Sequence, residues 1–161
     1  MSAHLLIDEI VTRIRGAGAP SGEHDVMLEI GSLDIARRYF RHEPPTAGEM
    51  EAAIEVVEDA LMPAIPRLRG FGTLLTSDEK SLALASAAGF PAGAVAEFDL
   101  AAIESMFNHL VDVVNGRPAT SEGLPSRNTF AANLLIVREL MHHADLRHLI
   151  VMPPEFPDDQ Q

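Results

Sequence analysis

RNTFAANLLIVRELMHHADLRHLIVM, residues 127–152, changes its hydrophobic period part-way along. Over 127–143, Phe130, Leu134, Val137 and Met141 recur at three- and four-residue spacing, one stripe of a helix. Over 146–152, LRHLIVM runs apolar almost without a break, the pattern of a buried strand. A helix feeding such a strand is one unit of an α/β layer.

Working outward, the same alternation returns upstream. AVAEFD (94–99) reads as a short strand. Asp99 is placed to cap a helix burying Leu100, Ile103, Phe107, Leu110 and Val114, which Asn115-Gly116 stops. SDEKSLALASAAG (77–89) reads as a helix with an acidic first turn. RLRGFGTLLT (67–76) reads as a strand interrupted by glycines. Thr46 and Glu49 form a capping box for a helix over 47–62 that buries Met50, Ile54, Val57 and Leu61. Glu51, Glu55, Glu58 and Asp59 fall on its other face, and Pro63 and Pro66 end it. DVMLEIG (25–31) reads as a strand. Ser32 is placed to cap LDIARRYFRH, with Leu33, Ala36 and Phe40 inward, before the Pro44-Pro45 break. GAGAPSGEHD (16–25) and RPATSEGLPS (117–126) read as loops. In residues 3–15, Leu6, Ile10 and Ile14 recur every four residues, which favours a helix stopped by Gly16; HLLIDEIV as a strand is the competing reading. The order predicts one helix-rich, three-layer-like α/β domain over 1–152 with a small, partly parallel sheet, and a flexible acidic tail over 153–161.

The 161 residues fit one ordinary domain, and 47% hydrophobic content excludes a mainly disordered chain. Twenty-four acidic residues against 12 basic ones give a net charge of −12. A duplex-binding face needs a basic surface to displace counterions, so nucleic acid is not an expected partner. The same charge argues against anionic lipid. With no Cys, disulfides, thiolate zinc sites and a Cys nucleophile are excluded. No apolar run reaches the ~18 residues of a membrane span, and MSAHLLIDEIVTRIRG mixes apolar and charged residues unlike a signal peptide. A cytoplasmic protein is expected.

Four features could carry chemistry. Gly70-Phe71-Gly72-Thr73 could present backbone amides and a hydroxyl to phosphate, although two glycines in a strand commonly mark a bulge. Arg37, Arg38 and Arg41, beside His42, share a helix face that could hold an anion; pairing with the acidic helix 47–62 is the plainer reading. His142, His143 and His148, with Glu139 and Asp145 nearby, lack the convergence of a metal site, since adjacent residues on a helix point about 100° apart, and no metal site is predicted. The carboxylates of 47–62 read as a solvated face, and no G-x-S-x-G elbow supports a hydrolase nucleophile.

Taken in order, IGSLDIARRYFRHEPPTAGEMEAA (30–53), GFGTLLTS (70–77), AEFDLAAIESMFNHL (96–110) and GLPSRNTFAANLLIVRELMHHADLRHLIVM (123–152) resemble the second lobe of the Ppx/GppA phosphatases. These are exopolyphosphatases and guanosine pentaphosphate phosphatases with an actin-like, ribonuclease H-like fold. In that family polyphosphate or nucleotide lies between two lobes, with carboxylates from both. The resemblance implies phosphate contacts at Gly70, Gly72, Thr73 and Arg127, with Mg²⁺ as cofactor if the chain is a phosphohydrolase. The departures are plain. The chain is too short for the first lobe. The Asp-Ile-Gly-Gly-Gly-Ser loop has no counterpart, HLLIDEIV carrying Asp8 without glycines. Asn128-Thr129 stands where Ala-Asp is expected. The resulting expectation is a degenerate lobe acting as a non-catalytic or partner-dependent module, associating as a homodimer or with a protein partner. The alternatives are a phosphohydrolase whose cleft a second copy completes, and a nucleotide sensor without turnover.

Overall fold

The computed structural model describes residues 1–17 and 25–154. The 155–161 part of the expected tail and most of the 16–25 loop lie outside them. A six-stranded sheet is built from β1 (Ser2–Ile7), β2 (Thr12–Gly16), β3 (Val26–Leu28), β4 (Thr73–Thr76), β5 (Ala96–Asp99) and β6 (His148–Val151) in the order β3-β2-β1-β4-β6-β5. β1, β4 and β6 run parallel, while β2 and β5 are antiparallel to their neighbours. The helices are α1 (Ser32–Tyr39), α2 (Ala47–Leu61), α3 (Ile65–Leu68), α4 (Glu79–Ala87), α5 (Leu100–Val114), α6 (Ala119–Glu122) and α7 (Asn128–His143).

Residues 3–15, expected as one helix, are two strands of a hairpin. Ala3, Leu5, Ile7 and Ile14 are buried, whereas Leu6 and Ile10 are exposed. The period-two set therefore governs, because it lays four apolar residues on the helix-covered face of the sheet. Three boundaries also move. The 67–76 strand shortens to β4, since Ile65–Leu68 are helical. Pro63 and Pro66 occupy first-turn positions of a 3₁₀ turn (Met62–Ala64) and of α3, where a missing amide costs nothing. The 117–126 loop contains α6, held to α5 by His109 and Arg117 on Glu122. The His109 hydrogen bond, aided by Arg117, holds the Glu122 carboxyl below its ordinary range.

The caps at Thr46, Asp78 and Asp99 each accept an amide of their helix's first turn. At α1 the N-cap is Gly31, not Ser32, whose hydroxyl is buried in the first turn. A Cβ on Gly31 would lie 2.4 Å from the backbone of Glu9 and Ile10, so glycine here permits the hairpin turn to press against the helix start. Leu33, Ile54, Leu100 and Val114 are half-buried, while Ile35 and Ala53 are fully buried.

α7 is the hub. It packs against α1, α2, α4 and α5, and every residue from Phe130 to Val137 is buried. The expected stripe is thus part of a helix buried around its whole girth between Phe130 and Val137. In contrast β6, expected to be wholly buried, alternates: Leu149 and Val151 are buried, while His148 is exposed and Ile150 half-buried.

Candidate functional site

In open α/β sheets ligands dock beyond the carboxyl ends of parallel strands, where loops and helix amides converge. That end of this sheet is formed by the Asp8–Val11 turn after β1, by Thr76–Asp78 after β4 and by the starts of α1 and α4. The turn is closed by Asp8 N–H donating to Val11 O at 2.8 Å. Its carbonyls take the free amides of α1: Ser32 donates to Asp8, while Leu33 and Asp34 donate to Glu9, at 2.9–3.1 Å. At α4, Asp78 does the same with a side chain. Its Oδ1 accepts Ser81 N–H at 2.7 Å, and its Oδ2 accepts Ile7 N–H at 3.2 Å and the Thr76 hydroxyl at 3.0 Å. The first amides of α1 and the Ser81 amide of α4 are thus taken from within the chain, and the Asp8 and Glu9 side chains stand exposed there.

The residues singled out from the sequence are divided between two ends of the sheet. Gly72 N–H donates to Met1 O at 2.9 Å, and Gly72 O accepts Arg147 and His148. These bonds place Gly70, Gly72 and Thr73 at the amino end of β4, about 16 Å along the strand from Ser77. Gly70, at φ +107°, makes the turn into the strand. Arg127 lies at the start of α7 and lines a cavity of about 330 Å³ with Glu79, Lys80, Thr129 and Asn133. Arg127 and the glycines are therefore not brought to one point. Arg37, Arg38 and Arg41 are exposed. Arg38 pairs with Asp34 of its own helix at 2.8 Å, and Arg41 reaches the acidic helix only through its amide, which donates to Glu49. Asn128 donates to Phe40 O and His42 O, so the segment carrying Arg41 adjoins the one carrying Arg127.

Some participants were not singled out from the sequence. Asp78 with Ser81 three residues on is a cap signal, but its second oxygen bridging to Ile7, 71 residues away, has no local signature. Asn133, fully buried, donates to Lys80 O at 3.3 Å and leaves its Oδ1 without a partner. The histidine cluster disperses: His142 meets Glu104, His148 lies 3.6 Å from Glu97, and His143 Nε2 lies 2.9 Å from Glu139 and 3.3 Å from Glu58. Glu139 is buried and also accepts Arg138 at 2.6 Å. This group joins α2 to α7, with the ligand atoms of Glu58, Glu139 and His143 all within 4.8 Å of one another.

No family model and no curated protein matches the sequence. Solved structures do match the fold. The Ppx/GppA enzyme of Aquifex aeolicus superposes with a TM-score of 0.70 at 18% identity, over 94% of this chain and 53% of that one. The chain has the fold of one Ppx/GppA lobe. An exopolyphosphatase from Cytophaga hutchinsonii gives a TM-score of 0.67 at 11% identity, over 94% and 53% of the two chains. The chain thus spans about half the length of the Ppx/GppA structures it matches, one lobe of an actin-like, ribonuclease H-like architecture. No helix among the described residues is long and apolar enough to cross a membrane.

Proposed function

We propose that this chain is a non-catalytic interaction module, a Ppx/GppA-like lobe that does not turn over phosphate. The observation that carries the reading is the Asp78 carboxylate. It occupies the start of α4 as a phosphate would, taking an amide from each of two elements and a hydroxyl from a third residue. A phosphate there would have to displace a fixed anion next to the exposed Asp8 and Glu9 side chains, on a chain whose net charge of −12 already repels it. Mg²⁺ does not fit the same place. Both Asp78 oxygens accept from donors of the chain, Asp8 Oδ1 accepts the Glu9 amide at 2.8 Å, and among the described residues Asp8, Glu9 and Asp78 do not bring three ligand atoms to one point. Phosphoryl transfer needs such positive charge around the transferred group.

The test is a thermal-shift panel with polyphosphate, guanosine tetraphosphate, ATP and ADP, each with and without Mg²⁺, alongside phosphate-release assays. The expected result is no Mg²⁺-dependent rise and no release. A native-state ligand at a hundred times its dissociation constant would add about 2.7 kcal/mol, so a Mg²⁺-dependent rise would overturn the reading.

One observation favours ligand binding without turnover. The cavity is lined by Lys80 and Arg127, with Thr129 beside them, a place for a ligand with an anionic group. On this second reading a Mg²⁺-independent shift appears with one of the nucleotides and is lost in Arg127→Ala.

A further inference from the structure

We propose that the sheet face left exposed among the described residues pairs with the same face of a second copy of this chain, about a two-fold axis running along β4. The proposal rests on reading the chain as an interaction module, because it names that module's partner.

The face is defined by the side chains that alternate away from the core. Pairing register sets Arg15, His4, Leu75, Ile150 and Glu97 in one row across β2, β1, β4, β6 and β5. In the next row Arg13 lies between Met27 and Leu6. Met27 is 61% exposed and Leu6 45%. Asp99 stands beside Glu97 on the same face of β5, and both are exposed. The row is therefore basic at the β2 end, polar at His4, apolar at Leu75 and Ile150, and acidic at the β5 end. Its charged ends are four strand spacings apart, about 19 Å.

This order inverts onto itself. β4 is the middle strand of the five, so a two-fold along it carries the β2 position onto the β5 position. Arg15 then faces Glu97 of the partner subunit, His4 faces Ile150 of the partner subunit, and Leu75 meets its own copy. Two twisted sheets stack in this way about 10 Å apart, with strands nearly aligned. Such an isologous contact uses each unlike-charge pair twice. The charges are available for it. Arg15 approaches Asp25 only at 3.9 Å with 63% of its side chain exposed, and Glu97 approaches His148 only at 3.6 Å. A partner of uniform charge would be repelled by one edge or the other, whereas a second copy satisfies both.

Sedimentation equilibrium on the full chain tests the proposal. The wild type is expected to be a dimer. Arg15→Glu and Glu97→Arg should each weaken it about tenfold or more, since each creates two like-charge contacts. The double variant Arg15→Glu/Glu97→Arg should return to near the wild-type constant, because the swap rebuilds the same pairs with opposite sense. Circular dichroism and melting temperature of each variant separate loss of association from loss of fold, and both positions of change are solvent-facing. A wild-type monomer overturns the pairing while leaving the absence of phosphate binding untouched. A dimer indifferent to both reversals, or one that the double variant does not restore, also overturns it.

Discussion

The carboxylate of Asp78 accepts the backbone amide of Ile7 at 3.2 Å, joining the end of β1 to the start of α4. Asp78→Ala removes this acceptor together with a helix cap. The expected cost is about 2 kcal/mol in urea unfolding. It also vacates the place of an anion. Inorganic phosphate should raise the melting temperature of Asp78→Ala more than that of the wild type at equal concentration. Equal shifts in the two proteins would mean that Asp78 does not stand in for a bound anion.

Gly31 and Gly48 should respond to alanine in opposite directions. A Cβ at Gly31 meets the backbone of Glu9 and Ile10 at 2.4 Å, and neither can give way without opening the β1–β2 turn. Gly31→Ala should cost about 3 kcal/mol. At Gly48, inside the first turn of α2, a Cβ meets nothing within 4 Å. Gly48→Ala should stabilise by about 0.5 kcal/mol through the unfolded chain and helix propensity. Denaturation midpoints of the two variants read both signs at once.

Acid should weaken the α1–α2 junction at Glu49. The hydrogen bond from the Thr46 amide, with further donors at Arg41 and His42, lowers its pKa from 4.5 to about 2. A depressed folded-state pKa gives stability that is complete above the unfolded value and is lost as pH falls through the folded one. Wild type should therefore exceed Glu49→Gln in stability at pH 6, and the difference should shrink between pH 4.5 and 2. A gap that persists unchanged at pH 2 would assign it to shape and not to charge.

Glu139 is a buried carboxylate with three neighbours, Arg138, His143 and, through His143, Glu58. Glu139→Gln keeps the volume and removes the charge, so Arg138 and His143 lose their charge-assisted acceptor. The expected loss is about 2 kcal/mol, measured by chemical denaturation. Glu58→Gln, at the exposed end of the same group, should cost under about 1 kcal/mol.

The amphipathic helices were legible because their signals are local. The Thr46–Glu49 box, the Asp99 cap and the stripe of α7 each lie within a few residues, and each is present where the spacing puts it. The order of segments also carried the likeness to a Ppx/GppA lobe, since topology follows the succession of strands and helices. Residues 3–15 were misread because four-residue and two-residue spacings coexist there. The choice falls to β1's partners, β2 and β4, and β4 lies about seventy residues away in sequence.

Local sequence sets the elements whose caps, prolines and apolar periods close within a few residues, together with the acidic balance of the chain. Tertiary structure alone decided which ends meet. It put Gly70, Gly72 and Thr73 at the amino end of β4, away from Arg127, and joined the Asp78 carboxylate to the Ile7 amide. It also aligned Arg15 with Glu97 through three intervening strands. The physical reason is that strand direction and register are fixed by hydrogen bonds between segments far apart in sequence. No local pattern records them.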